Sequence, residues 1–191
     1  SLDSIVIPAN ITTINGAQFN GCTGLKYIEF AEAETEIEVD NASGLQAKYT
    51  AGSGDAAVDY ISTLEEVVVN RPMTAMQPAK NPWRGNTSIK KVTFGGKCTA
   101  VYSNMFENCT SLTEVKLPLN LTSASQEVFR DCSSLESVTI QHNVYHIGSS
   151  AFGGCALESV IIPASVTSIY SGAFDSNVTI YGYDETYAQT Y

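Results

Sequence analysis

Hydrophobic and polar positions along the chain follow one pattern that recurs, in most places, every 21 to 25 residues. Each unit opens with a leucine or isoleucine, and large apolar residues follow three and five positions later. Side chains alternate between faces in an extended segment, so those two positions face an interior while the residues between them face outward. A period of this length is typical of a solenoid with one short parallel strand per coil. The units open at Leu2, Leu25, Leu64, Ile89, Leu112, Leu135 and Leu157, and an eighth begins at Val178 without completing.

Two further positions repeat within the coils and predict packing rather than chemistry. An aromatic position precedes the next unit, and a ladder of aromatic residues is more often a packing spine than a ligand cage. It holds Phe19, Trp83, Phe106, Phe129, Phe152 and Phe174. A cysteine position follows it, at Cys22, Cys109, Cys132 and Cys155, while Cys98 replaces an aliphatic residue. Cysteine behaves here as a small hydrophobe, and no C-x-x-C spacing suits a metal, so we predict free, buried thiols.

These motifs carry a family resemblance. The units at Leu112 and Leu157, and the I-G-x-x-A-F-x-x-C motif of residues 147–155, resemble BspA-like leucine-rich repeats. The resemblance covers the chain except roughly residues 31–63, and residues 179–191 are similar to the segment that closes such arrays. It implies a right-handed leucine-rich-repeat solenoid of the α/β horseshoe class, with short parallel strands, turn or 3₁₀ returns and little regular helix. It also implies a secreted or cell-surface protein, usually bacterial, that recognises host or matrix molecules.

The domain organisation expected from these repeats is a single domain, 1–191, of about seven coils. Residues 31–63 are predicted to be an irregular acidic insertion, and residues 178–191, rich in tyrosine, a C-terminal cap. Within the insertion, residues 31–40 alternate strictly, which places five carboxylates on one face of a predicted strand. A solvated strand whose charge discourages edge pairing is the favoured interpretation. A calcium site is the alternative, although no D-x-D-x-D-G loop is present.

Composition and motifs narrow the functional classes. The formal charge of −10 and a pI near 4.5 argue against a nucleic-acid partner, and no apolar run is long enough for direct membrane insertion. His142 and His146 stand four residues apart on a strand and turn rather than a helix, so we expect no metal site. Nucleophile, phosphate-loop, dinucleotide and zinc-protease motifs are missing from the sequence. We therefore expect a monomeric non-enzyme without a cofactor.

The outward positions of the parallel sheet are the best candidates for binding. They combine both signs of charge with tyrosine, threonine and valine side chains. The candidates are Tyr27, Glu29, Glu66, Val68, Lys91, Thr93, Glu114 and Lys116. We expect an extracellular or cell-surface recognition or adhesion module that binds a host or matrix protein or glycan through this face. Two plainer interpretations remain: an ordinary solvated sheet face with weak ion pairs, and a structural spacer that binds nothing itself.

Overall fold

The computed structural model describes residues 2–19, 21–40, 61–74, 81 and 83–182. Its regular structure in these ranges is twelve short β-strands and one 3₁₀ turn, with no α-helix. The strands are β1 (Ser4–Ile7), β2 (Thr13–Asn15), β3 (Tyr27–Phe30), β4 (Glu38–Asp40), β5 (Glu66–Val69), β6 (Lys91–Phe94), β7 (Glu114–Lys116), β8 (Ser123–Ala124), β9 (His146–Ile147), β10 (Ser159–Ile162), β11 (Ser168–Ile169) and β12 (Thr179–Gly182). The 3₁₀ turn spans Gly16–Phe19. None of the described residues form a helix that could cross a membrane.

The first five coils each contribute one strand to a parallel sheet of order β1-β3-β5-β6-β7. The register is the one expected from the repeat. One row of aligned residues reads Ser4, Tyr27, Glu66, Lys91 and Glu114. The prediction of a solenoid built from short parallel strands is confirmed.

The inward positions of these strands form the core, because they alternate with the outward ones. Ile28, Val67 and Val92 are fully buried and are aligned with one another in adjacent strands. Burying an aliphatic side chain of this size stabilises the fold by about 1.5–3 kcal/mol. Since a single coil covers only one side of its own core residues, the stack as a whole supplies the stability.

An aromatic spine runs through the stack, as the repeat predicts. Successive rings from Trp83 to Phe174 are nearly parallel, with centroids 5.2 Å, 5.8 Å, 5.6 Å and 5.4 Å apart. Phe30 and Phe94 meet the spine edge-on from the neighbouring sheet. Offset-stacked and edge-on pairs of this kind contribute about 0.5–1.5 kcal/mol beyond burial.

All five cysteines are free thiols, and three of them form a second column beside the aromatic spine. The thiols of Cys109, Cys132 and Cys155 each donate to the carbonyl oxygen of the aromatic residue one coil back, at 3.1–3.2 Å. Burial raises the pKa of Cys98 to about 11 and that of Cys155 to about 12. The prediction of burial is wrong in part, because Cys22 and Cys155 are partly exposed.

The start of the predicted insertion belongs to the solenoid. Glu38–Asp40 forms β4, which pairs in parallel with β2 of the first coil, and Ile37 bridges to Met73 of the third. Ile37 and Val39 are buried. The long acidic strand expected over residues 31–40 is therefore wrong: only its last three residues form a strand, and this strand pairs with β2 of the first coil. Residues 41–60, which include most of the predicted insertion, lie outside the described residues.

The sheet does not continue through every coil. The strand expected after Leu135 is missing, so β12 is the one strand of the described residues that pairs with β10. On the return side, β8, β9 and β11 remain paired in parallel through the same coils. The predicted cap contributes Thr179–Gly182 to β12, whereas residues 183–191 lie outside the described residues.

Candidate functional site

The structure brings all eight candidate residues together on the outward face of four adjacent strands. β3, β5, β6 and β7 each contribute two of them, in two aligned rows. The first row reads Tyr27, Glu66, Lys91 and Glu114, and the second reads Glu29, Val68, Thr93 and Lys116. We call this set of eight residues the binding face. Its side chains are partly or fully exposed, because every one alternates with a residue directed into the core.

Glu29 is held in place by two hydrogen bonds at one end of the binding face. The Tyr27 hydroxyl donates to Glu29 Oε2 at 2.7 Å, and Asn70 Nδ2 donates to Oε1 at 2.9 Å. Burial, followed by the hydrogen bond and charge of Glu29 and the charge of Glu66, raises the pKa of Tyr27 to about 12. The tyrosine therefore remains a neutral donor at physiological pH, and it presents a fixed carboxylate to a partner.

Lys91 lies between two carboxylates at the centre of the binding face. Its Nζ is 3.5 Å from Glu66 Oε1 and 3.6 Å from Glu114 Oε1, one on each neighbouring strand. Exposed pairs at this separation stabilise a fold by about 0–1 kcal/mol. Lys116, in the last strand, has no ion pair within the described ranges. Its ammonium group is thus available to a partner.

A second charged row borders the face. Glu65 lies between Lys26, 3.9 Å away, and Lys90, 2.9 Å away. The hydrogen bond and charge of Lys90 lower the pKa of the Glu65 carboxyl group. Carboxylates and ammonium groups thus alternate across the strands on this part of the surface.

Sequence reasoning missed Asn70, which lies directly after β5 and fixes Glu29. The two residues are separated by 41 positions, and no local motif links them. The backbone nitrogen of Asn70 also donates a hydrogen bond to the carbonyl oxygen of Phe30, at 3.1 Å, and this bond holds the turn after β5 against the second coil. A polar residue at the end of a core strand was the only available signal.

The two histidines do not converge on a common ligand. His146 lies in β9, where its Nδ1 is 2.5 Å from the Ser168 hydroxyl, and His142 lies in the preceding turn. In the part of the chain that the structure describes, no three His, Cys, Asp or Glu side chains are grouped as metal ligands. The polar groups of the binding face are carboxylates, ammonium groups and hydroxyl groups that form hydrogen bonds and ion pairs with one another.

The comparisons with known proteins agree on the family. The sequence profile of BspA-type leucine-rich repeat regions matches six copies, over residues 1–43 and 60–181. The fold is similar to a leucine-rich cell surface protein from Faecalibacterium prausnitzii A2-165, with a TM-score of 0.59 and 25% identity over 99% of this chain and 50% of that one. It is also similar to a leucine-rich repeat protein from Bacteroides ovatus ATCC 8483, with a TM-score of 0.51 and 18% identity over 95% of this chain and 51% of that one.

The chain spans about half the length of these two solved proteins. None of the curated proteins compared with it matches. The profile match covers the coils described above, including residues 37–40, which the structure also places in the stack. On this evidence the chain belongs to the BspA-type leucine-rich repeat proteins.

Proposed function

We propose that this protein is a non-enzymatic recognition or adhesion module, located at the cell surface or outside the cell. It binds a host or matrix protein or glycan through the binding face. The observation that carries the proposal is the alignment of eight outward side chains on four paired strands, with Glu29 fixed by Tyr27 and Asn70. Rigid, pre-positioned polar groups reduce the entropy lost on binding.

The composition of the binding face supports this role. Val68 and Thr93 are aligned partners at its centre, and both are partly exposed. Charged residues surround them: Glu29 and Glu66 on one side, Lys116 on the other. An uncharged pair bordered by charged residues offers a partner both apolar contact and charge pairing. The location is supported by the family and by the F. prausnitzii relative, which is described as a cell surface protein.

A structural spacer is the second candidate, and the first coil favours it. Leu2, Val6 and Ile11 are exposed there beside an apolar cavity of about 350 Å³. The cavity also reaches Ile14 and Phe19 of the first coil's core. An exposed apolar surface of this kind suits contact with another surface, as a spacer requires.

Binding of the purified chain to immobilised matrix proteins and glycans, at near-physiological salt, tests the two candidates. The variant Lys116→Glu reverses a charge on the binding face that has no ion pair within the described residues. Lys97→Glu makes the same change of charge in the turn after β6, where Lys97 pairs with Glu34, and serves as the control. A module that binds through this face gives a saturable signal that falls in Lys116→Glu and persists in Lys97→Glu. A spacer gives no saturable signal with any ligand of the panel.

A further inference from the structure

The hydrogen-bond ladder of the main sheet stops at the sixth coil. In the fifth coil, the amides of Thr113 and Glu114 donate to Lys90 O at 2.9 Å and 3.1 Å, and the second, third and fourth coils repeat this pattern. Residues 136–140 make no backbone hydrogen bond within the continuously described range 83–182. The ladder resumes only where Thr179 donates to Glu158 O at 2.9 Å. The edge of β10 that faces the sixth coil is therefore unpaired.

This loss of strand pairing, which we call the opening, is confined to the side of the solenoid that carries the main sheet. On the return side, Tyr145 N donates to Thr122 O at 2.9 Å and Thr167 N donates to Tyr145 O at 2.8 Å. The rings of the spine keep their spacing through the same coils, 5.6 Å and then 5.4 Å. The coils thus remain stacked while the main sheet separates.

A deletion in the sequence accompanies the opening. In three other coils two residues separate the repeat cysteine from the next opening leucine, and the leucine amide donates to the cysteine carbonyl at 2.9–3.1 Å. This bond forms at Leu25, Leu112 and Leu135. Only one residue separates Cys155 from Leu157, and the bond is missing there. The turn before β10 is therefore one residue shorter than the turns of those coils.

A groove of about 350 Å³ lies at this opening. Ser137, Val138 and Thr139 form one wall, and Val160, Ile161 and Pro163 form the other. Ile161 is 65% exposed, which is unusual for an isoleucine in a strand. The groove therefore offers apolar side chains together with unpaired strand backbone.

Carboxylates directly precede both walls of the groove, His142 also lines it, and Lys116 lies one coil earlier. The sequence contains no lysine or arginine after Arg130. Glu136 and Glu158, which directly precede the two walls, are both exposed, and neither forms an ion pair within the described ranges. An occupant with positive charge is favoured by this field, and one with negative charge is repelled.

We propose that the groove is a docking site for an extended, lysine- or arginine-containing polypeptide segment that adds a strand to the free edge of β10. Unpaired strand edges bind extended peptides through the backbone, and side chains of alternate residues then settle into adjacent pockets. Outward residues such as Tyr27 and Glu114 donate their amides to the preceding coil, so the equivalent amide of Ser159 faces the groove. This site is separate from the binding face and does not depend on the function proposed for it.

Fluorescence anisotropy with the full chain tests this proposal. The probe is a labelled ten-residue peptide of alternating lysine and valine, compared with a glutamate–valine peptide and with a lysine–valine peptide whose alternate amides are N-methylated. We expect the first peptide to bind, and the other two to bind at least about tenfold more weakly. The affinity should fall as salt is raised from about 50 to 300 mM, because screening shortens the reach of exposed charges.

Two variants of the groove and one control variant locate the site. Glu136→Lys/Glu158→Lys should weaken binding at least about tenfold, whereas Glu32→Lys/Glu38→Lys, the same change in net charge on exposed residues of the second coil, should change it less than about twofold. Ser159→Pro removes an amide that has no hydrogen-bond partner among the described residues, and it should also abolish binding. Equal binding of the N-methylated or the glutamate–valine peptide, or equal losses in the two charge variants, would overturn the proposal. None of these substitutions alters the binding face, so the two proposals can fail separately.

Discussion

One buried cation connects the first three coils. Arg71 is fully buried, and its guanidinium donates to the carbonyl oxygens of Ile11 and Thr35 at 2.8 Å and of Ala9 at 3.2 Å. It also donates to the Thr35 hydroxyl at 2.8 Å and to Glu36 O at 3.3 Å. The first coil supplies Ala9 and Ile11, the second Thr35 and Glu36, and the third the arginine itself. Burial lowers the pKa of the guanidinium, which nevertheless stays charged at any ordinary pH.

We expect Arg71→Met to lower the free energy of unfolding by about 3 kcal/mol. Methionine keeps an unbranched apolar stem but leaves the acceptors without a donor. A hydrogen bond to a charged group contributes about 1.5–3 kcal/mol, so loss of all the bonds would cost far more. Ala9, Ile11 and Thr35 are exposed, however, and water can replace several of the lost donors. The net loss then corresponds to between one and two of these bonds.

Urea denaturation measures this loss. With a denaturant dependence of about 2 kcal/mol/M, 3 kcal/mol moves the midpoint by about 1.5 M. Arg130→Met is the matched control, because Arg130 is exposed and forms only surface ion pairs with Glu127 and Asp131, at 3.4 Å and 3.3 Å. We expect the control to cost less than about 1 kcal/mol. Equal midpoints for the two variants would refute the idea that Arg71 connects the coils.

Three further predictions concern backbone strain, thiols and charge. Ser150 has a left-handed backbone with φ of 52°, a conformation that glycine adopts without strain, so Ser150→Gly should stabilise the protein by about 0.5–1 kcal/mol. Ser149 has no such strain, so Ser149→Gly should destabilise the protein by a similar amount. Thermal unfolding measures both effects. At pH 8, a disulfide-exchange reagent should label Cys22 first, and Cys98, Cys109 and Cys132 only on unfolding. Burial raises the pKa of these three thiols well above 8, so they stay protonated and unreactive in the folded protein. Rapid labelling of these three thiols in the native protein would contradict this. Lys91→Glu places a third carboxylate between Glu66 and Glu114 and should lower the free energy of unfolding by about 1 kcal/mol. Lys116→Glu should lower it by less than about 0.5 kcal/mol, and the melting temperatures of the two variants would show the difference.

Much of the main sheet could be predicted from the sequence, because alternation with a period of two assigns each residue to a face. The aligned residues Tyr27, Glu66 and Lys91 follow from placing the opening leucines one above another. The same rule predicted a strand over residues 31–40, where alternation is equally clear. The structure uses only Glu38–Asp40, because Ile37 and Val39 are needed in the core beside the first and third coils.

The features that could not be predicted depend on contacts between distant residues. The sequence alone would place Arg71 in a solvated loop, because its acceptor, the carbonyl oxygen of Ile11, is 60 positions away. The unpaired edge of β10 coincides with a missing residue between Cys155 and Leu157, which looks in the sequence like an ordinary loop deletion. The stacked coils show that the turn hydrogen bond is absent at this deletion, whereas pairing is already lost at residues 136–140, one coil earlier.

The most direct test of the account compares two identical substitutions. Thr93→Glu adds a carboxylate at the centre of the binding face, and Thr122→Glu adds one to an exposed residue beside β8. Surface plasmon resonance would give the dissociation constant of each variant for the ligand that the native chain binds most tightly in the panel. We expect at least about tenfold weaker binding for Thr93→Glu and a change of less than about twofold for Thr122→Glu. Equal affinities for the two variants would contradict the claim that this protein binds its partner through the outward face of its parallel sheet.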